Sequence, residues 1–238
     1  MPNPYFHFRQ FSIWHDRCSM KVTTDSCLFG AWIAADILKQ HKEKNILDIG
    51  SGSGLLSLMV AQQNTSPIDA IEIQESDYLQ SLENLSSANF THRITAHYAD
   101  ASHFVFDKQY DFIISNPPFY QNDLKGSKST KNIAHHEEGL TLLDLAKIIK
   151  NNLSSDGWFY WLLPAKRTND VMAHARENNV FINKIIRVHQ TENHSPFRIM
   201  VRGSFHSSDL EEEQIIIKYQ NEYSDTFRRL LLPYYLNL

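Results

Sequence analysis

From Asn45 onward, short continuous apolar runs alternate with longer segments whose apolar residues recur at helical spacing. The runs predict strands near 45–49, 69–73, 93–98 and 110–115, with helices near 54–63 and 76–89 between them. Such alternation predicts a parallel sheet with right-handed crossovers. Further along, the pattern gives a helix near 140–152, the turn signal Ser155-Asp156-Gly157, a strand near 158–163 and a helix over about 168–178. Strands near 180–189 and 197–206 follow, then a short one near 214–218. No full crossover helix fits between the two longer runs, so they are expected to form an antiparallel hairpin at the sheet edge. Upstream, Thr23-Thr24-Asp25-Ser26 offers caps for a helix reaching roughly Leu38, with Leu28, Phe29, Trp32, Ile33 and Ile37 as its apolar positions. Residues 4–22 alternate in part and read as an aromatic-rich hairpin or extended arm.

Length and composition narrow the class. A chain of 238 residues suits one α/β domain, here an arm and helix over 1–44 and a core over 45–238. Charged residues at 21% and hydrophobic ones at 42% are ordinary for a globular protein. There is no apolar run of membrane-spanning length and no charged-then-apolar start, so a cytoplasmic protein without a membrane partner is expected. Cys18 and Cys27 form no metal-ligand pattern and are expected to be reduced core thiols, with no metal called for. The oligomeric state leaves no mark in the sequence.

A net charge of −4 argues against a sequence-blind electrostatic nucleic-acid binder. It leaves room for local basic patches. Arg9, His15, Arg17 and Lys21 stand among the aromatics of the arm, a mixture that can stack bases and track phosphates. The alternative is an arm that only covers one edge of the sheet. Lys125, Lys128, Lys131, His135 and His136 lie in the polar stretch 121–139, which reads either as an RNA-contacting loop or as solvated surface.

The most specific chemistry sits at the predicted strand ends. Asp48-Ile49-Gly50-Ser51-Gly52-Ser53-Gly54 links a strand to a helix, and its glycines permit positive φ and close approach of backbone to ligand. The third glycine falls one residue too early for the dinucleotide fingerprint. This acid-led spacing resembles motif I of the class I methyltransferases, which implies contact with the methionine end of S-adenosylmethionine. Glu72, at the end of the next strand, can accept from two ribose hydroxyls. Asp100, after the third strand, can accept from the amino group of a bound adenine. After the fourth strand comes Asn116-Pro117-Pro118-Phe119. The Asn116 side-chain carbonyl and the Pro117 main-chain carbonyl can each accept one N–H of an exocyclic amine, the prolines add no donors, and Phe119 offers a stacking face. In open α/β sheets ligands bind at the carboxyl ends of strands, so all four positions are expected on one rim.

Together these residues resemble the amino-methyltransferases that share the tetrapeptide: glutamine N5-methyltransferases of release factors, guanine-N2 methyltransferases of rRNA, and adenine-N6 methyltransferases. Phe11 to Trp32, with His15-Asp16-Arg17-Cys18-Ser19-Met20-Lys21-Val22-Thr23-Thr24-Asp25 and Gly30-Ala31-Trp32, is similar to the N-terminus of the bacterial tRNA1(Val) adenine-37 N6-methyltransferases. Asn221-Glu222-Tyr223-Ser224 and the ending Tyr234-Tyr235-Leu236 are similar to their tail. The resemblance implies a Rossmann-like class I methyltransferase, with S-adenosylmethionine as cofactor and tRNA, by resemblance tRNA1(Val), as partner. It also implies that Lys21, Thr24 and Asp25 lie near the methionine end of the cofactor or close the site. Thr23 stands where that family often has Gly, and Phe119 where it often has Tyr. An upstream extension of about 45 residues leaves no room for the helical domain with which glutamine methyltransferases grip a release factor. A catalytically idle RNA-binding module is the alternative from another class, and the intact acceptor tetrapeptide speaks against it.

Overall fold

The computed structural model describes residues 3–40, 44–117 and 140–238. Two short strands, β1 (Tyr5–His7) and β2 (Ser12–Trp14), pair antiparallel as an N-terminal hairpin. Helix α1 (Thr24–Leu38) follows, capped by Thr23, whose side chain accepts from the Ser26 N–H. The core then runs β3 (Ile46–Ile49), α2 (Leu55–Gln63), β4 (Ile68–Glu72), α3 (Glu75–Ser86), β5 (Ile94–Tyr98), β6 (Tyr110–Ser115) and α4 (Leu142–Asn152). It continues with β7 (Leu153–Pro164), α5 (Thr168–Glu177), β8 (Phe181–Thr191), β9 (Arg198–Ser204), β10 (Glu211–Tyr219), β11 (Glu222–Tyr223) and α6 (Asp225–Leu231).

Strands β3 to β11 form one sheet in the order β11-β10-β8-β9-β7-β6-β3-β4-β5. Strands β5, β4, β3, β6 and β7 are mutually parallel, so their carboxyl ends share one rim. The expected 8–9 hairpin is present, with β9 antiparallel to both β7 and β8. It does not form the edge, however, because β10 and β11 extend the sheet beyond β8.

The two faces bury separate cores. One packs Ile46, Ile114, Tyr160 and Met200 under α1, α2 and α6; the other packs Leu47, Ile113, Phe159 and Trp161 under α4 and α5. Central strands buried on both faces are why the sequence shows continuous apolar runs there rather than alternation.

Two boundaries differ from the sequence pattern, each for a local reason. Ser155-Asp156-Gly157 is not a turn but part of β7, where the register jumps between the pairs Tyr110–Leu153 and Phe112–Trp158. The acidic run Glu211-Glu212-Glu213 belongs to β10 because Lys184 on β8 pairs with Glu211 and Glu213, and Arg187 with Glu212. No described helix is long and apolar enough to cross a membrane.

The arm is a structural element. Phe8, Phe11 and Ile13 are buried in the first core, so they are not free to stack on bases. The hairpin joins the C-terminal segment and α3. Phe8 bridges to Tyr235, the Arg9 N–H donates to the Tyr234 carbonyl at 2.8 Å, and β2 packs against α3.

Candidate active site

Four adjacent parallel strands deliver the four predicted positions to one rim, in the spatial order Asn116 (after β6), the glycine turn (after β3), Glu72 (end of β4) and Asp100 (after β5). At the usual strand spacing this row spans about 14 Å. That matches the length of a nucleoside carrying an extended side chain. Ser115 fixes the junction by donating its hydroxyl to the Ile49 carbonyl at 2.8 Å, which ties the end of β6 to the start of the glycine turn.

The turn takes the shape its glycines allow. Gly50, Gly52 and Gly54 have φ of +69°, +54° and +80°. A Cβ added at Gly50 or Gly52 would meet nothing within 4 Å, so both present bare backbone to open space. The Gly50 and Ser51 N–H groups donate to the Ile71 carbonyl at 2.9 and 3.1 Å, holding the turn against β4.

Glu72 is buried and gives one carboxylate oxygen to each of two backbone donors, Gly52 N–H and Gln74 N–H, both at 2.8 Å. Burial raises its pKa above the ordinary value, against the lowering effect of those two donors. Each oxygen keeps a lone pair for a ribose hydroxyl. Asp100 accepts from Ser102 N–H at 2.8 Å and pairs with His103 Nδ1 at 2.9 Å. Burial works against its charged form, but these contacts outweigh it and hold the carboxyl below its ordinary pKa. A cleft of about 100 Å³ opens beside it, lined by Ile49, Gly50, Ile73, Asp100, Ala101 and Leu140.

Asp48 lies beneath the turn, fully buried. Its Oδ2 accepts the Ser57 hydroxyl at 2.6 Å, while Oδ1 has no hydrogen-bond partner among the described residues. Burial pushes its pKa up to about 7 despite the lowering effect of the Ser57 hydroxyl and backbone N–H. Asn116 likewise has a buried Oδ1 without a partner among the described residues. The two orphaned acceptors flank the glycine turn, where a cationic cofactor and an amino-group substrate would bring what they lack. The residues present therefore fit S-adenosylmethionine.

Other expected positions fall as follows. Lys21 is exposed and donates from Nζ to the His15 carbonyl at 2.8 Å, and Thr24 is an exposed first-turn residue of α1. Asp25 is buried and ion-paired with Arg198 at 2.7 Å. Arg9 Nε donates to the Tyr235 carbonyl at 2.6 Å, and Arg17 pairs with Glu83. Both guanidiniums reach the surface but are tied down there. Pro117 is buried at the end of the described segment, and Phe119, Lys125, Lys128 and Lys131 lie outside the described residues. Cys18 and Cys27 are free thiols, each pushed up to about 12 chiefly by burial, which leaves them unreactive at neutral pH. Among the described residues, no cluster of three or more metal-ligating side chains occurs.

The sequence reading missed Ile73 and Asn84. Ile73 remains 50% exposed while lining the cleft, and its signal was an apolar residue directly after the acidic strand end. Asn84 gave no local signal, because its partners are remote in the chain.

Comparison with known proteins identifies the family. Residues 25–140 match the family described as methyltransferase small domain. The chain is 35% identical to a tRNA1(Val) (adenine(37)-N6)-methyltransferase of Christiangramia forsetii over the whole of both chains. It is 37% identical to one of Dyadobacter fermentans over 98% of each. In structure it is similar to a predicted O-methyltransferase of Agrobacterium tumefaciens, with a TM-score of 0.66 and 15% identity, over 88% of this chain and 96% of that one.

Proposed function

We infer the chemistry from a premise that the similarities establish: this chain belongs to the tRNA1(Val) (adenine(37)-N6)-methyltransferase family and is an S-adenosylmethionine-dependent tRNA adenine N6-methyltransferase. Adenine 37 of tRNA1(Val), the target in the relatives' names, is the target proposed here. S-adenosylmethionine, when bound, supplies a methyl group on a cationic sulfur. We place its adenine toward Asp100 and Ile73, its ribose at Glu72 and its methionine end at the glycine turn above Asp48, and the spatial order of these positions along the rim supports that direction. By resemblance to the family, Lys21 and Thr24 are assigned to that end.

The observation that carries the mechanism is the buried Oδ1 of Asn116, which has no partner among the described residues. An unpaired buried carbonyl costs about 1–3 kcal/mol. A substrate N–H removes that cost. The exocyclic nitrogen of adenine is a poor nucleophile because its lone pair is delocalised into the ring. Asn116 Oδ1 and the Pro117 carbonyl each accept one of its N–H bonds, turn the lone pair toward the cofactor side of the rim, and favour the positive charge that develops on nitrogen. Phe119 supplies a face for the unstacked base. The methylated amine is acidic and releases its proton to water, so no side chain need act as general base.

Replacing Asn116 by Ala should lower turnover by about 100- to 1000-fold, the range seen for removal of one preorganised polar partner. Cofactor affinity should stay within a few-fold. Near-normal turnover would overturn the assignment.

A further inference from the structure

Asn84 sits inside α3 and is fully buried, where a carboxamide is tolerated only if its hydrogen bonds are met. Its Oδ1 accepts the Trp14 N–H at 2.8 Å, and its Nδ2 donates to the Trp14 carbonyl at 2.8 Å. The same Nδ2 donates to the Ser53 carbonyl at 2.9 Å. Trp14 stands opposite Tyr5 in the arm hairpin, and the adjacent bond runs from His15 N–H to the Pro4 carbonyl. The peptide groups of Trp14 thus face outward and are met by one side chain, as a third strand would meet them.

Ser53 lies between Gly52 and Gly54. The glycine turn is therefore gripped twice: by Glu72 through the Gly52 N–H, and by Asn84 through the Ser53 carbonyl. The helix that carries Asn84 also holds the arm elsewhere. Asp77 accepts from the Ser19 N–H at 3.0 Å, and Gln80 Oε1 accepts from Arg17 Nε at 3.3 Å.

We propose that Asn84 is a positioning residue that couples docking of the N-terminal arm to the geometry of the cofactor turn. The arm segment 12–19 is then a brace for cofactor binding. This rests on the glycine turn being the cofactor site. A carboxamide that joins both elements ties their order together, and such coupling is reciprocal: whatever fixes the turn also fixes the arm.

Asn84→Asp keeps the acceptor for Trp14 N–H but turns an oxygen toward two carbonyls. It should raise the dissociation constant for S-adenosylhomocysteine about tenfold or more, a loss of about 1.4 kcal/mol. The turnover number at saturating cofactor and the KM for tRNA should stay within about threefold. A purely structural role would lower the melting temperature and active fraction but leave the cofactor constant unmoved, and that result would overturn the proposal.

Amide hydrogen exchange on the wild-type protein decides the matter if the variant fails to fold. Saturating S-adenosylhomocysteine should slow exchange at residues 50–54 and also at 12–16. Protection of the turn without the arm would overturn the coupling while leaving the cofactor site intact. Protection of neither would overturn the cofactor site and the coupling with it.

Discussion

Replacing Asp48 by Asn removes a buried carboxyl beneath the glycine turn, and its consequences can be worked from the burial. The native carboxyl has a pKa of about 7 against a reference of 3.8. At 1.36 kcal/mol per pH unit, that difference corresponds to about 4 kcal/mol. The native state holds the proton more tightly than the unfolded chain, so this destabilisation is absent below pH 4, grows as pH rises, and is complete above pH 7. Asn keeps a carbonyl for the Ser57 hydroxyl but places an amide NH2 where Oδ1 now lacks a partner, at a cost of about 1–3 kcal/mol. The variant should therefore be less stable than wild type at pH 4 and more stable by about 1–3 kcal/mol at pH 8. Urea unfolding at several pH values measures this. Cofactor binding should show the compensating loss: the wild type should bind S-adenosylmethionine more tightly as pH rises through 7, while the variant binds more weakly and with a flat profile. Stability curves of the two proteins that run parallel from pH 4 to pH 8 would refute the reasoning.

Glu72→Ala should weaken cofactor binding by about 1–3 kcal/mol, because it removes the proposed ribose acceptor and frees the Gly52 and Gln74 N–H groups together; unchanged affinity by calorimetry would exclude that role. Reversing the charge of Lys125, Lys128 and Lys131 should raise the KM for tRNA and flatten its salt dependence, leaving cofactor affinity alone; identical salt slopes would make that stretch ordinary surface.

The rim was legible in the sequence because each of its residues is announced by local order. Gly50, Glu72 and Asn116 each follow an apolar run, Asp100 follows a more polar strand, and parallel strands must end on the same side. What the sequence concealed depends on contacts distant along the chain. The strand character of Glu211-Glu212-Glu213 needs Lys184 and Arg187 beside it. Phe8 and Phe11 look like part of a stacking surface until the core, with Tyr235 beside Phe8, closes over them, while Trp14 stays 44% exposed. Asn84 reads as an ordinary polar helix residue, yet its partners lie 70 and 31 positions away. Asp48 looks like an open cofactor ligand, and only its burial shows that it lies below the turn.

The most direct test of the account uses purified protein, methyl-labelled S-adenosylmethionine, and total tRNA from a strain in which this gene is deleted. The tRNA is digested to nucleosides and the label identified. The account predicts label in N6-methyladenosine, arising from one adenine 3′ of the anticodon in a single tRNA species. Label in N2-methylguanosine, or cofactor binding with no transfer to tRNA, would contradict it.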